Sequence, residues 1–156
     1  MGNRHIQVLV GLLGFFLVSC SDSRIVSVYC TEGYDDLKII FNKMSRTVEM
    51  DIYLDEGTLK FISSQITPID DEWIESATLS KLDIDEDFYK FILQTNLIKP
   101  TRKPGQSYYD MYAEYERRLD ESEMRFSLRR DNLKLTSYIN NEVEDGWQCK
   151  LIEKQI

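Results

Sequence analysis

The strongest constraint on this chain is a succession of short alternating runs broken by turn residues. Thr47-Val48-Glu49-Met50-Asp51-Ile52-Tyr53-Leu54 is the clearest of them. Val48, Met50, Ile52 and Leu54 fall on one side, and Thr47, Glu49, Asp51 and Tyr53 on the other. Successive side chains of a strand point to opposite faces, so this run predicts a half-buried strand. Similar runs lie at 25–30, 37–41 and 58–63, with turn chemistry at Glu32-Gly33-Tyr34-Asp35-Asp36, Asn42-Lys43 and Asp55-Glu56-Gly57 between them. The end of the chain reads the same way at 124–128, 133–136 and 147–152, parted by Arg130-Asp131-Asn132 and Asn140-Asn141. Short turns between strands predict a meander. The fold class expected is therefore mainly β, an antiparallel meander forming a small barrel or curled sheet, which also protects its edges.

The middle is less regular. Asp83-Ile84-Asp85-Glu86 reads as a capping box, with Ile84, Phe88, Phe91 and Ile92 on one face of a short helix. The run 88–93 reads equally well as a buried strand, and the two readings stay open at this point. Lys99-Pro100-Thr101-Arg102-Lys103-Pro104-Gly105 is a basic, proline-bearing loop. Beyond it Ser107 can cap a helix in which Tyr108, Met111, Tyr112, Tyr115 and Leu119 recur at helical spacing. This predicts one helical insertion over about 106–120, its tyrosine stripe packed onto the sheet and Glu114 paired with Arg118. Asp83-x-Asp85-x-Asp87 opens like a calcium loop, but Phe88 and Gln94 stand where that loop needs glycine and glutamate. Asp70-Asp71-Glu72 reads as a solvated turn. No metal site and no cofactor are expected.

The first twenty residues, MGNRHIQVLVGLLGFFLVSC, place Arg4 and His5 before an apolar stretch from residue 6 to 18. The stretch is shorter than the roughly 20 residues needed to span a bilayer and suits a signal segment. The N-myristoylation pattern beginning at Gly2 fails at Ile6. Leu17-Val18-Ser19-Cys20 resembles the lipobox of bacterial lipoproteins. That resemblance implies a signal peptide over 1–19, lipid attachment at Cys20, a lipidated terminus and short tether over 20–24, and one periplasm-facing domain over 25–156. Ser21 follows the cysteine where the inner-membrane retention signal has aspartate, so the anchor expected is in the outer membrane on its periplasmic face.

Lipidation of Cys20 would leave Cys30 and Cys149 as a pair near the two ends of the domain. An oxidising compartment favours a disulfide between them. The chain's single histidine, His5, lies in the signal segment. A processed domain without histidine cannot run Ser-His-Asp or Cys-His chemistry. It also lacks the usual ligands for zinc. No catalytic residue is assigned, and a non-catalytic role is expected.

The chain carries 19 basic and 27 acidic side chains, and loss of Arg4 would take its net charge from −8 to −9. Such a balance disfavours nucleic acid as a partner and favours a basic protein. Arg102, Lys103, Tyr108, Tyr109 and Tyr112 are the candidate partner-binding residues, since aromatics and arginine concentrate at interface hot spots. Val28-Tyr29-Cys30-Thr31-Glu32-Gly33, with Leu37-Lys38-Ile39-Ile40-Phe41 and Thr47-Val48, resembles the opening of membrane-bound inhibitors of C-type lysozyme over residues 26–50. The resemblance implies a small disulfide-linked β-barrel lipoprotein. That family's inhibitory Ser-Gly-x-x-Tyr segment is absent, the nearest text being Gly105-Gln106-Ser107-Tyr108-Tyr109. The function expected is an envelope lipoprotein with a binding or accessory role. Inhibition of a basic lysozyme and carboxylate-dependent hydrolysis of envelope glycans are the alternatives.

Overall fold

The computed structural model describes residues 24–152. The expected signal peptide over 1–19, the lipid attachment site Cys20 and tether residues 21–23 lie outside the described residues. Within them the strands are β1 Ile25–Thr31, β2 Asp36–Asn42, β3 Thr47–Leu54, β4 Gly57–Ile62, β5 Ile66–Pro68 and β6 Ile74–Leu79. They continue with β7 Asp83–Ile84, β8 Phe88–Leu97, β9 Glu123–Arg129, β10 Lys134–Ile139 and β11 Glu142–Leu151. The helix α1, Tyr108–Asp120, interrupts them between β8 and β9. All belong to one sheet in the order β4-β3-β2-β1-β11-β10-β9-β8-β6-β5, with β7 beside β8. The expected antiparallel meander is therefore present, and it curls until its edges nearly meet.

Alternation becomes two-sided burial through register. Val28 lies opposite Ile39, Ile39 opposite Met50, and Met50 opposite Phe61, and all four are buried. One residue along, Tyr29, Lys38, Asp51 and Lys60 form the matching outer row, with Lys60 Nζ 3.8 Å from Asp51. Because the strand period is two, a one-residue slip would exchange these rows. An aromatic spine runs through the interior. Trp147 and Phe126 lie 6.2 Å apart, Phe126 and Phe91 4.9 Å, Phe91 and Phe41 5.9 Å, and Phe41 and Tyr89 4.9 Å between ring centroids. Each such pair adds about 0.5–1.5 kcal/mol beyond the area it buries.

The sheet is joined at two places. The first is β1 against β11, where Cys30 and Cys149 face each other in register with Cα atoms 3.9 Å apart and form the expected disulfide. The second lies between β4 and β6, with β5 wedged beside them. Ser64 N donates to Leu79 O at 2.8 Å, and Thr67 Oγ1 reaches Lys60 O at 3.3 Å. The buried Ser63 hydroxyl accepts from Val48 N at 2.7 Å and can donate to Ser80 O, also at 2.7 Å. One hydroxyl thus satisfies groups on both flanks of the seam. Pro68 ends β5 without an N–H, which blunts the remaining edge.

The segment 83–94 is strand, not helix. Asp85 Oδ1 accepts from Asp87 N at 2.9 Å and Phe88 N at 2.7 Å, the bonds a helix cap would make. Here they turn the chain so that β7 pairs with β8, Ile84 opposite Tyr89. The strands β5 and β6 lie in a stretch the sequence left unassigned, where Asp70-Asp71-Glu72 forms the exposed turn between them. The final hairpin turns at Asn140 and Asn141, both at positive φ (52° and 65°), a backbone that matches strand twist and that asparagine tolerates.

Replacing Ser63 with alanine would leave Val48 N and Ser80 O buried without partners. An unfolding free energy lower by about 1–3 kcal/mol is expected in urea titration.

Candidate functional site

Strand direction sorts the connections between two ends of the barrel. The chain enters at Arg24 and leaves after Leu151 at one end, called here the near end. Connections 43–46, 63–65, 80–82, 85–87 and 130–133 share that end. The far end carries 32–35, 55–56, 69–73, 98–122 with its helix, and 140–141. Far-end connections hold twelve acidic and five basic side chains, whereas near-end connections hold four of each. Negative charge is therefore concentrated at one pole.

The far mouth is organised by the loop from β1 to β2. Gly33 lies flat on the Trp147 indole, and a β-carbon placed there would stand 2.0 Å from Nε1. Trp147 Nε1 donates to Asp35 O at 2.7 Å, and Tyr34 N donates to Asp145 Oδ2 at 2.8 Å. Asp145 N in turn donates to the buried Ser137 Oγ at 3.2 Å, beside the irregularity in the β10–β11 register. These bonds hold open a cavity of about 210 Å³. Its walls include Leu37, Ile52, Leu93, Met124, Phe126 and Trp147, and Asp35, Glu144 and Asp145 stand among its lining residues. Tyr34, 82 % exposed, stands beside the opening.

The expected partner-binding residues lie at the same end, on the long β8–β9 connection. Ser107 caps α1 as expected, its hydroxyl accepting from Asp110 N at 3.0 Å. Glu114 pairs with Arg118 at 2.6 Å, as its spacing predicts, and with Arg117 at 2.8 Å. Hydrogen bonds from Arg117 and then Arg118 pull the Glu114 carboxyl down to about 2. Lys103 is 3.2 Å from Glu72, whose other oxygen accepts from Trp73 Nε1 at 2.9 Å. Those two contacts, Lys103 first, hold the Glu72 carboxyl below its ordinary range. Arg118 lies 4.6 Å from the Trp73 ring centre, and Arg102 lies 4.7 Å from that of Tyr108.

The structure corrects the use made of the tyrosine stripe. Met111 is buried, but Tyr108, Tyr112 and Leu119 are exposed and Tyr115 is half-buried. The reason is that the apolar rows of the sheet face inward, while the outer rows carry exposed Lys60, Arg125 and Arg129 and give α1 no apolar face to cover. Tyr109, which falls off the stripe, is 82 % exposed. Arg102 and Lys103 are engaged within the chain, and the far end is acidic because its twelve acidic side chains outnumber its five basic ones. Tyr34, Asp35, Glu144, Asp145 and Trp147 were not expected as site residues. Glu32-Gly33-Tyr34 marks a turn, but its partners lie more than 100 residues away.

Gly33→Ala would force the loop off the indole and break the Trp147–Asp35 bond. A loss of about 1–3 kcal/mol is expected in denaturant unfolding, with a displaced Trp147 Nε1–H resonance. The Glu114 carboxyl, lowered from its ordinary 4.5 to about 2, contributes fully above about pH 4.5. That support is lost as pH falls towards 2, so the protection factors of α1 amides, corrected for intrinsic exchange, should fall across this window, and in Glu114→Gln the fall should be absent. Comparison of the chain with protein-family models, with curated proteins and with solved structures finds no match.

Proposed function

We propose that this chain is a bacterial envelope lipoprotein, anchored through Cys20 in the outer membrane on its periplasmic face, that works by binding a cationic protein and not by catalysis. The observation that carries this reading is the segregation of charge: twelve acidic against five basic side chains in the far-end connections, and balance at the near end. The described chain begins at the near end, so a lipid on Cys20 would tether that pole and leave the acidic pole facing away. A concentrated field of one sign raises encounter rates with a partner of the other sign, and salt screens it. Exposed Tyr34, Tyr109 and Tyr112 offer aromatic contacts at the same pole once such a partner has arrived.

A C-type lysozyme is the first partner to try, being basic and being the target implied by the resemblance of residues 26–50. Full-length protein titrated into a lysis assay should inhibit at low salt and lose potency at least tenfold by about 0.5 M salt, where the screening length is a few ångströms. The variant Asp55→Asn/Glu56→Gln/Asp70→Asn should weaken inhibition. The near-end variant Glu86→Gln/Asp87→Asn/Asp131→Asn should leave it unchanged. Equal effects from the two variants, or no binding to any cationic protein, would refute the reading.

A further inference from the structure

A surface that steers a protein partner does not need an open apolar cavity at its centre, yet the far mouth has one. Six of its lining side chains, Leu37, Ile52, Leu93, Met124, Phe126 and Trp147, are apolar in all or most of their surface, which suits a carbon body. The acidic residues Asp35, Glu144 and Asp145 are among the lining residues, and no lysine or arginine is. An anion entering here would meet like charge, whereas a cation could keep its apolar part against the walls and its head by the carboxylates. A cavity of about 150 Å³ accommodates benzene. The volume here, about 210 Å³, therefore has room for one ring or a short branched chain together with a head group.

We propose that this cavity binds a small organic cation, a compact apolar body carrying an ammonium or guanidinium head. The chemistry is shared by free amines and by lysine or arginine side chains. The site stands apart from the protein-binding role proposed above, since either could hold without the other. Its architecture supports a preformed cavity: Asp145 is fixed by Tyr34 N and Gly146 N at 2.8 Å each, and the indole by Asp35 O at 2.7 Å. Asp35 and Glu144 carboxylates make no side-chain hydrogen bond among the described residues, which leaves them available to a guest.

The chain has two tryptophans, one in the cavity wall and one, Trp73, outside it, so each indole N–H reports separately. Full-length ¹⁵N-labelled protein in non-ionic detergent would be titrated with 2-phenylethylammonium, with 3-phenylpropionate as the anion of similar body, and with Nα-acetyl-lysine amide. The expected result is a saturable shift of the Trp147 Nε1–H with the amine, little change at Trp73, and no saturable change with the carboxylate. Asp35→Asn/Glu144→Gln, which keeps the Asp35 carbonyl that holds the indole, should weaken amine binding about tenfold. Tighter binding of the lysine amide would identify a protein side chain as the source, and weaker binding a free amine. Equal response to cation and anion, or no saturable shift at millimolar amine, would overturn the proposal. Amine binding without any cationic protein partner would sink the preceding function alone, and the converse result would sink only this one.

Discussion

The pairing of the first strand with the last is the joint on which the rest of the barrel depends. β1 meets β11 through hydrogen bonds on both sides of the buried Cys30–Cys149 disulfide, across 119 residues of chain. A cross-link closing so long a loop removes about 4–5 kcal/mol of unfolded-state entropy in the chain-entropy account. Small domains are stable by only about 5–15 kcal/mol in total. The covalent bond is therefore comparable with a large part of the net stability that remains once core burial and chain entropy have largely cancelled. With it in place, β1 has a partner on each side, and the rows of buried residues run unbroken from β4 through β1 to β8.

The second joint is of a different kind. Between β4 and β6 only eleven residues intervene, β5 among them, so far less entropy has to be overcome than at the first joint and no covalent bond is used. A single buried serine with bonds to both flanks closes it. The two joints share the interior between them, and the aromatic spine from Trp147 to Tyr89 runs through it. The helix α1 stands outside, against outer rows that are polar. The helix is stiffened by its own pairs from Glu114 to Arg117 and Arg118, buries Met111, and meets the rest of the chain through the stacking of Arg118 on Trp73. Its tyrosines stay in solvent as a result.

Much of the architecture was legible because strands announce themselves locally. The run 47–54 shows its period in eight residues, and the turn residues on either side fix its ends. The disulfide was legible from parity and the spacing of cysteines near the domain ends. The pair Glu114–Arg118 and the cap at Ser107 follow from helical geometry alone. What could not be read depended on distant partners. Asp85 makes the same hydrogen bonds in a turn between strands as it would at a helix start, so residues 83–94 carry no local sign that separates the two. The tyrosine stripe has the period of a packed face, but whether a face packs depends on what already fills the space opposite. The mouth cavity combines Gly33 with Trp147 and Tyr34 with Asp145, and no local pattern connects residues so far apart.

The position of the first joint also sets an order of events during synthesis. Most pairings are between strands adjacent in sequence, and such local pairings form quickly. β2, β3 and β4 can assemble on β1 as soon as each emerges. The other side of β1 has to wait for residues 142–151, the last strand of the chain. Until then its backbone groups form an open edge and Cys30 waits for Cys149, a state prone to pairing with other chains. The barrel is thus completed by its final ten strand residues, and a nascent chain lacking them keeps every local hairpin but the last while remaining adhesive along its oldest strand.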